Sequence, residues 1–335
     1  MKHLTASSFF LIDALHSQPR SATPARSHPI VHSFVRAFVS IAIALSAIGI
    51  PLAFGAQTAN AAPPITVVRP STPNGWDKVD FTSPPPVGVN STGTYVAGPG
   101  GQAGGLSAGS FRYLTASAPG GKPRIFTTNT HPIYGTRFAD LTTLDFQTYI
   151  APASTAPVWL AATINVGVDL SGVGTGPFVT LVYEPCYNTP SNCGGAVQTP
   201  GTWATWNAMA PGQKWWSPQA IAGTAFSVPF SSFEPLTSLF STYPAAAIYE
   251  ISFNAGNRTG GAPWDNFDGN LDGVVLERQA NPANPYAPAQ AAFAATYDFE
   301  PDACTTVCYA DAVNGNDANS GMTIATAKKT IQAAI

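Results

Sequence analysis

Apolar and polar positions alternate with a period of two along much of the chain. Leu144–Ile150 (Leu-Asp-Phe-Gln-Thr-Tyr-Ile) is a clear case of the half-buried strand pattern. The same reading predicts strands over Phe111–Leu114, Arg124–Thr128, Phe178–Tyr183, Thr202–Trp206, Lys214–Trp216, Ala247–Phe253 and Gly273–Leu276. The long apolar, β-branched run Val158–Leu170 is read as another. Gly, Pro, Asn or Asp separates nearly every pair of these runs, which is turn chemistry. Short strands at this spacing predict an all-β fold, an antiparallel sandwich or barrel. One helix is predicted over Ser231–Tyr243: Phe233, Leu236, Leu239 and Phe240 fall at helical spacing, and Pro244 closes it.

Composition agrees. Gly (30) and Pro (31) are too abundant for a helical protein, and charged residues make up only 10% of the 335. The net charge of −3 leaves no basic footprint for nucleic acid.

The first 61 residues read differently. Arg20, Arg26 and Arg36 precede an apolar run, Ala37–Phe54, and a small-x-small site, Ala59-Asn60-Ala61. That is the three-part pattern of a secretory signal, cleaved near Ala62. The alternative is a membrane anchor, for which the run is marginal in length. Cleavage would remove His3, His16, His28 and His32 and leave His131 alone. Eleven basic and seventeen acidic residues would remain, a net charge of −6, with no span left in the membrane. The expected location is secreted or cell-surface.

Export makes disulfides the default for Cys186, Cys193, Cys304 and Cys308. Their spacings, C-x6-C and C-x3-C, suggest two local pairs, with connectivity open. The rival reading is a zinc site, against which the two pairs lie far apart in sequence and neither has C-x2-C spacing.

The mature chain divides into a Pro/Gly-rich linker (62–109) with a possible first strand at Trp76–Phe81, a sandwich (110–278), a second linker (279–296) and a final unit (297–335). The final unit resembles the opening of right-handed parallel β-helix proteins, the pectate-lyase-like superfamily. The matching residues are Asp311, Gly315, Asp317, Asn319, Ser320, Gly321, Ala327, Lys329, Thr330, Ile331, Ala334 and Ile335. The resemblance implies a capping helix over Ala325–Ile335 at the open end of a solenoid. That helix stops with its apolar face uncovered, which implies a longer natural chain. Residues 110–278 resemble bacterial secreted jelly-roll modules through Trp203, Trp206, Lys214, Trp215, Trp216, Trp264, Phe267, Asp268, Gly269, Asn270 and Asp272. The expected whole is a jelly-roll-like sandwich followed by the cap of a truncated β-helix.

Two constellations invite chemistry. Asp268, Asn270, Asp272 and Gly273 match the first half of a calcium loop, D-x-N-x-D-G, although Gln279 stands where the twelfth-position Glu would be. The other reading is a polar turn. Trp203, Trp206 and Trp215 could form a sugar-stacking face, or they could supply core mass. Trp215 and Trp216, being adjacent, would point to opposite faces of a strand. Catalysis finds little: no G-x-S-x-G surrounds any serine, and a triad would need His131, in the turn-like Asn129–Pro132. The expected function is therefore non-catalytic adhesion or recognition at the cell surface, of polysaccharide or surface glycan. The competing class is the front part of a secreted polysaccharide lyase or hydrolase.

Overall fold

A computed structural model describes residues 62–82, 91–115, 121–188, 198–256, 263–281, 289–302, 309–317, 319, 321 and 324–330. The export signal, Cys193, Cys304, Cys308 and Ile331–Ile335 lie outside the described residues. The elements are β1 (Ile65–Val68), β2 (Trp76–Thr82), β3 (Thr92–Val96), β4 (Ser110–Leu114), β5 (Gly121–Thr127), β6 (Leu141–Ile150), β7 (Thr163–Asp169), β8 (Phe178–Tyr183), β9 (Trp203–Asn207), α1 (Thr237–Thr242), β10 (Ala247–Asn254), β11 (Asp268–Arg278) and β12 (Phe293–Phe299). Among the described residues the fold is all-β with one short α-helix, as the patterning predicts.

Two sheets form. The second runs β2-β5-β10-β7-β8. The first is organised around β11, which pairs with β6 along nearly its whole length. On its other side it pairs first with β4, over Asp268–Leu271, then with β12, over Val274–Arg278. The changeover falls at Gly273, whose φ of 57° is a left-handed conformation that glycine adopts at little cost. β3 extends the sheet beyond β4, and β9 extends it beyond β6. β1 pairs with β12 in parallel, and the other neighbours are antiparallel.

The alternation within each strand aims one set of side chains between the sheets. Phe111 and Tyr113 of β4, Leu144 and Phe146 of β6, and Leu271 and Leu276 of β11 meet Ile125, Ile164, Val166, Ile251 and Phe253 of the second sheet in one core. Full burial of each such side chain contributes about 1.5–3 kcal/mol. Trp76, at the start of β2, packs edge-on against Tyr297 and Phe299 of β12. β12 is thus part of the core, although the residue pattern alone draws a linker and a β-helix boundary through it. β1 and β3 likewise come from the Pro/Gly-rich stretch 62–109, in which β2 covers the possible first strand at Trp76–Phe81.

Other expectations need correction. Ser231–Pro235 is not helical: Trp215 and Glu234 exchange both backbone hydrogen bonds at 2.9 Å, which holds that stretch extended and delays α1 to Thr237. Among its described residues the final unit shows no β-helix. Ala310 bridges Lys328, a 3-10 turn spans Ile324–Thr326, and Asp317 Oδ1 accepts from the backbone of Lys329 (2.8 Å) and Thr330 (2.7 Å). The capping helix is not formed over its described part, Ala325–Thr330. Among the described residues no helix is long and apolar enough to cross a membrane.

His131 is buried and stacks near Trp76 and Tyr297, at 5.3 and 5.1 Å. Its Nδ1 accepts from the Ile133 backbone, and desolvation, with Arg278 nearby, pulls its pKa down to about 3. It is a neutral core histidine.

Candidate functional site

The faces turned away from the core follow from the same period of two. Since Phe111 and Tyr113 point inward, Arg112 points outward. The same logic turns Asn270 outward beside Leu271, and Tyr149 beside Ile150. The strand registers then line these residues up: Thr94 opposite Arg112, Arg112 opposite Asn270, Asn270 opposite Tyr149, and Tyr149 opposite Trp203. One straight row, Trp203-Tyr149-Asn270-Arg112-Thr94, crosses five strands of the first sheet. At about 4.8 Å per strand it is about 19 Å long.

The row has an aromatic end and a polar end. The rings of Trp203 and Tyr149 lie 5.5 Å apart at 47°. Asn270 Nδ2 donates to Ser110 Oγ at 2.9 Å, which orients the amide. Arg112 grips Asp268 in a two-point fork, Nε to Oδ1 at 2.8 Å and Nη2 to Oδ2 at 2.7 Å. Such a fork fixes both planes. It raises the Arg112 pKa above its ordinary value and leaves the pair neutral overall.

The segment between β3 and β4, Ala97–Gly109, lies along the row as a strap. Gly100 O accepts from Trp203 Nε1 at 3.2 Å, and Gly98 O accepts from Ser110 Oγ and from Asn270 Nδ2. A groove of about 250 Å³ results, lined by Val96–Pro99 on the strap side and by Arg112, Tyr149, Ala151, Asp268 and Asn270.

The structure redistributes the residues singled out from sequence. Trp203 lies at the end of the groove row. Trp206 turns the other way, opposite Phe146, packs against the core and donates to Thr148 Oγ1 at 2.7 Å. Trp215 is 1% exposed, its Nε1 donating to Ala208 O. A ring sealed in the core cannot stack on a sugar, so Trp215 is core mass. Asp268, Asn270 and Asp272 do not form a calcium loop: they are alternate residues of β11, spread along an extended strand. Each oxygen of Asp268 accepts one hydrogen bond from Arg112, while Asp272 is 0% exposed and accepts from Phe299 N at 2.8 Å. Among the described residues no group of three His, Cys, Asp or Glu side chains is placed to hold a metal. Asp268 and Asn270 instead line the groove beside Trp203. Cys186 is disulfide-bonded, and the other three cysteines are outside the described residues.

Sequence reasoning missed Tyr149 and Arg112. A signal for Tyr149 was present, since the alternation of Leu144–Ile150 puts Asp145, Gln147 and Tyr149 on the polar face. Arg112 carried no such mark until strand pairing set it opposite Asn270.

The groove lining holds one carboxyl, Asp268, engaged by Arg112, whereas paired-carboxyl glycoside hydrolysis uses two groups about 5–10 Å apart.

No protein-family model and no curated protein matches the chain. Among solved structures, the family 11 carbohydrate-binding module from Clostridium thermocellum, in complex with a beta-1,3-1,4-mixed-linked tetrasaccharide, is 12% identical. That match covers 60% of this chain and 88% of that one, with a TM-score of 0.31. The family 11 module of the cellulosomal cellulase Lic26A-Cel5E of Clostridium thermocellum is 14% identical. It covers 60% of this chain and 86% of that one, with a TM-score of 0.30. Likeness at this level assigns no role to any residue of the groove.

Proposed function

We propose that this chain is a non-catalytic carbohydrate-binding module, a jelly-roll-like sandwich that works outside the cytoplasm. Its groove takes a short stretch of polysaccharide or surface glycan laid across β9, β6, β11, β4 and β3. The single observation behind this reading is the in-register row. Aromatic rings at one end suit the C–H faces of a pyranose, since they supply apolar area with defined geometry. Planar groups at the other end suit hydroxyls: the Arg112–Asp268 fork presents donors and acceptors side by side, and Asn270 adds an amide. Such sites are largely apolar with a few placed polar groups. The neutral pairing of Arg112 with Asp268 favours an uncharged glycan. Extracytoplasmic work is supported by the Arg-rich, apolar, Ala-Asn-Ala opening of the chain and by the disulfide-bonded Cys186.

Calorimetric titration of the chain with a panel of soluble oligosaccharides tests this. Tyr149→Ala should weaken binding about thirtyfold, equivalent to about 2 kcal/mol, with the melting temperature nearly unchanged. A native chain that binds no member of the panel, or a Tyr149→Ala variant that binds as well as the native chain, would refute the proposal.

A further inference from the structure

A second row runs parallel to the first, and two of its three members lie beneath the strap. Thr205, Gln147 and Asp272 are in register on β9, β6 and β11, two residues along each strand from Trp203, Tyr149 and Asn270. In the first row Trp203, Tyr149 and Arg112 are half-buried and Asn270 is 4% exposed; in the second Thr205 is exposed, Gln147 is 6% exposed and Asp272 is fully buried. The strap covers Gln147 and one side of Asp272, whose other oxygen accepts from Phe299 N of β12, and polar contacts hold the strap down. Gln147 binds Ala103 at two points: Oε1 accepts from Ala103 N at 2.8 Å, and Nε2 donates to Ala103 O at 3.1 Å. From the strap's side, Gln102 Nε2 donates to Asp272 Oδ2 at 3.1 Å. Ser107 N donates to Asp298 Oδ2 at 3.1 Å, and Gly109 N donates to Glu300 Oε1 at 2.6 Å.

The strap brings little apolar anchorage of its own. From Gly98 to Gly109 its one large apolar side chain is Leu106. Gly104 and Gly105 both have positive φ, 90° and 74°, a turn in which larger residues would be strained. Ordering such a chain costs more backbone entropy than ordering any other composition, and no buried face offsets that cost. A segment held by exchangeable hydrogen bonds over a packed sheet belongs to the low-stability end of a fold. The bulge at Gly273 supports the same design: a Cβ there would come within 2.3 Å of Gln147 Nε2, so the bulge leaves room for the clamp.

We propose that the strap is the wall that sets the width of the groove, and that Gln147 is the residue that positions it. This rests on the glycan-binding reading of the same groove. Latched, the strap confines a ligand to the first row and selects a linear glycan. Released, it joins the row of Thr205, Gln147 and Asp272 to the first and admits a glycan that carries a branch.

Two variants act on the latch from opposite sides. Gln147→Leu keeps the volume and removes both bonds to Ala103. Gln102→Ala removes its bonds to Asp272 and to Gly109 O (2.6 Å) without substituting any residue of the sheet. Amide hydrogen exchange, read on the free protein, should be about tenfold faster over residues 100–109 in either variant, with the amides of β6 and β11 unchanged. Calorimetry with cellotetraose and a branched xyloglucan heptasaccharide, or the linear and branched pair that the native chain ranks highest on a glycan array, should show the preference for the linear ligand falling about tenfold. Gln147→Glu, which retains the acceptor for Ala103 N, should restore part of both. Strap amides that already exchange freely in the native chain would overturn the latch. So would faster exchange confined to β6, the mark of a merely structural glutamine. Strap release with an unchanged linear-to-branched ratio would overturn the role in width. If no protein in the series binds any glycan, the groove reading falls and the width role with it, while the exchange data still decide the latch.

Discussion

The sandwich has two outer faces, and both carry aromatic rings and an arginine–carboxylate pair. On the second sheet Arg124 pairs with Glu250 at 2.8 Å, and its guanidinium lies 4.5 Å over the Phe126 ring. Tyr249 packs onto Gly167, where a Cβ would come within 2.6 Å of it, and the half-exposed Phe178 meets Tyr249 edge-on at 5.2 Å. Here the rings are engaged by protein partners, and among the described residues no strap rises beside them. On the first sheet the rings of Trp203 and Tyr149 stand at one end of a walled row whose other end is polar. Composition hardly separates the two faces. What separates them is that the β3–β4 connection folds over one of them and turns a flat sheet into a groove. A binding face needs concavity and ring surface not already used.

Substitutions can test that contrast. The largest effect is expected at a residue on neither face. Trp215→Ala should cost about 3–5 kcal/mol of stability in urea unfolding, whereas Trp203→Ala should cost under about 1 kcal/mol. Equal losses would mean that the indole of Trp203 is structural too.

The next effect concerns pH and separates the carboxylates of the strapped face from the rest. Burial, with Asp298 nearby, raises the Asp272 pKa from 3.8 to about 8 in the folded chain. Between those values the unfolded chain has released a proton that the folded chain retains, so stability falls as pH rises through this window and levels off above pH 8. Asp145, raised to about 6 by burial and by Glu277, adds the same sign over a narrower range. His131 acts oppositely: its folded pKa of about 3 lies below the ordinary 6.5, so its contribution grows as pH rises from 3 to 6.5. Above pH 6.5 Asp272 is left to dominate these three. The native chain should therefore lose about 1–2 kcal/mol between pH 6.5 and 8. Asp272→Asn should flatten that decline in a melting series. A decline of the same steepness in the variant would assign it to another group.

Smaller again is the effect of Arg112→Ala, about tenfold in glycan affinity, equivalent to about 1.4 kcal/mol. Arg112→Lys should recover little of it, because an ammonium cannot reproduce the fork to Asp268. Full recovery would reduce Arg112 to a simple charge. The smallest effect is expected on the opposite face: Phe178→Ala should leave glycan titrations unchanged. A loss there comparable to that of Tyr149→Ala would make the second face the binding face and dismantle the comparison.

Much of the fold was legible because a strand with one buried face writes its period into the sequence. Leu144–Ile150, Phe178–Tyr183 and Ala247–Phe253 each coincide with or fall inside a strand. The misses have physical causes. Asp268–Asp272 looks like a loop, since Asp, Asn and Gly are poor strand formers; tertiary pairing with β4 and β6 overrides that preference. Phe293–Phe299 sits behind an Ala/Pro/Asn-rich run and reads as the start of something new, yet its partners are β11 and β1, the latter far away at the other end of the described chain. Of the candidate site, Trp203, Asp268 and Asn270 were legible as unusual residues, but not as neighbours.

What the sequence determined by itself is the class of structure and the identity of each strand's two faces. Alternation is local, and the energy that enforces it, burial of one face, is the same wherever the strand docks. Which polar faces meet was decided by tertiary structure. Register across β9, β6, β11, β4 and β3 is set by long-range pairing and by the bulge at Gly273, and only that register puts Trp203, Tyr149, Asn270 and Arg112 in one line. A slip of one residue in any strand would send its member of the row into the core.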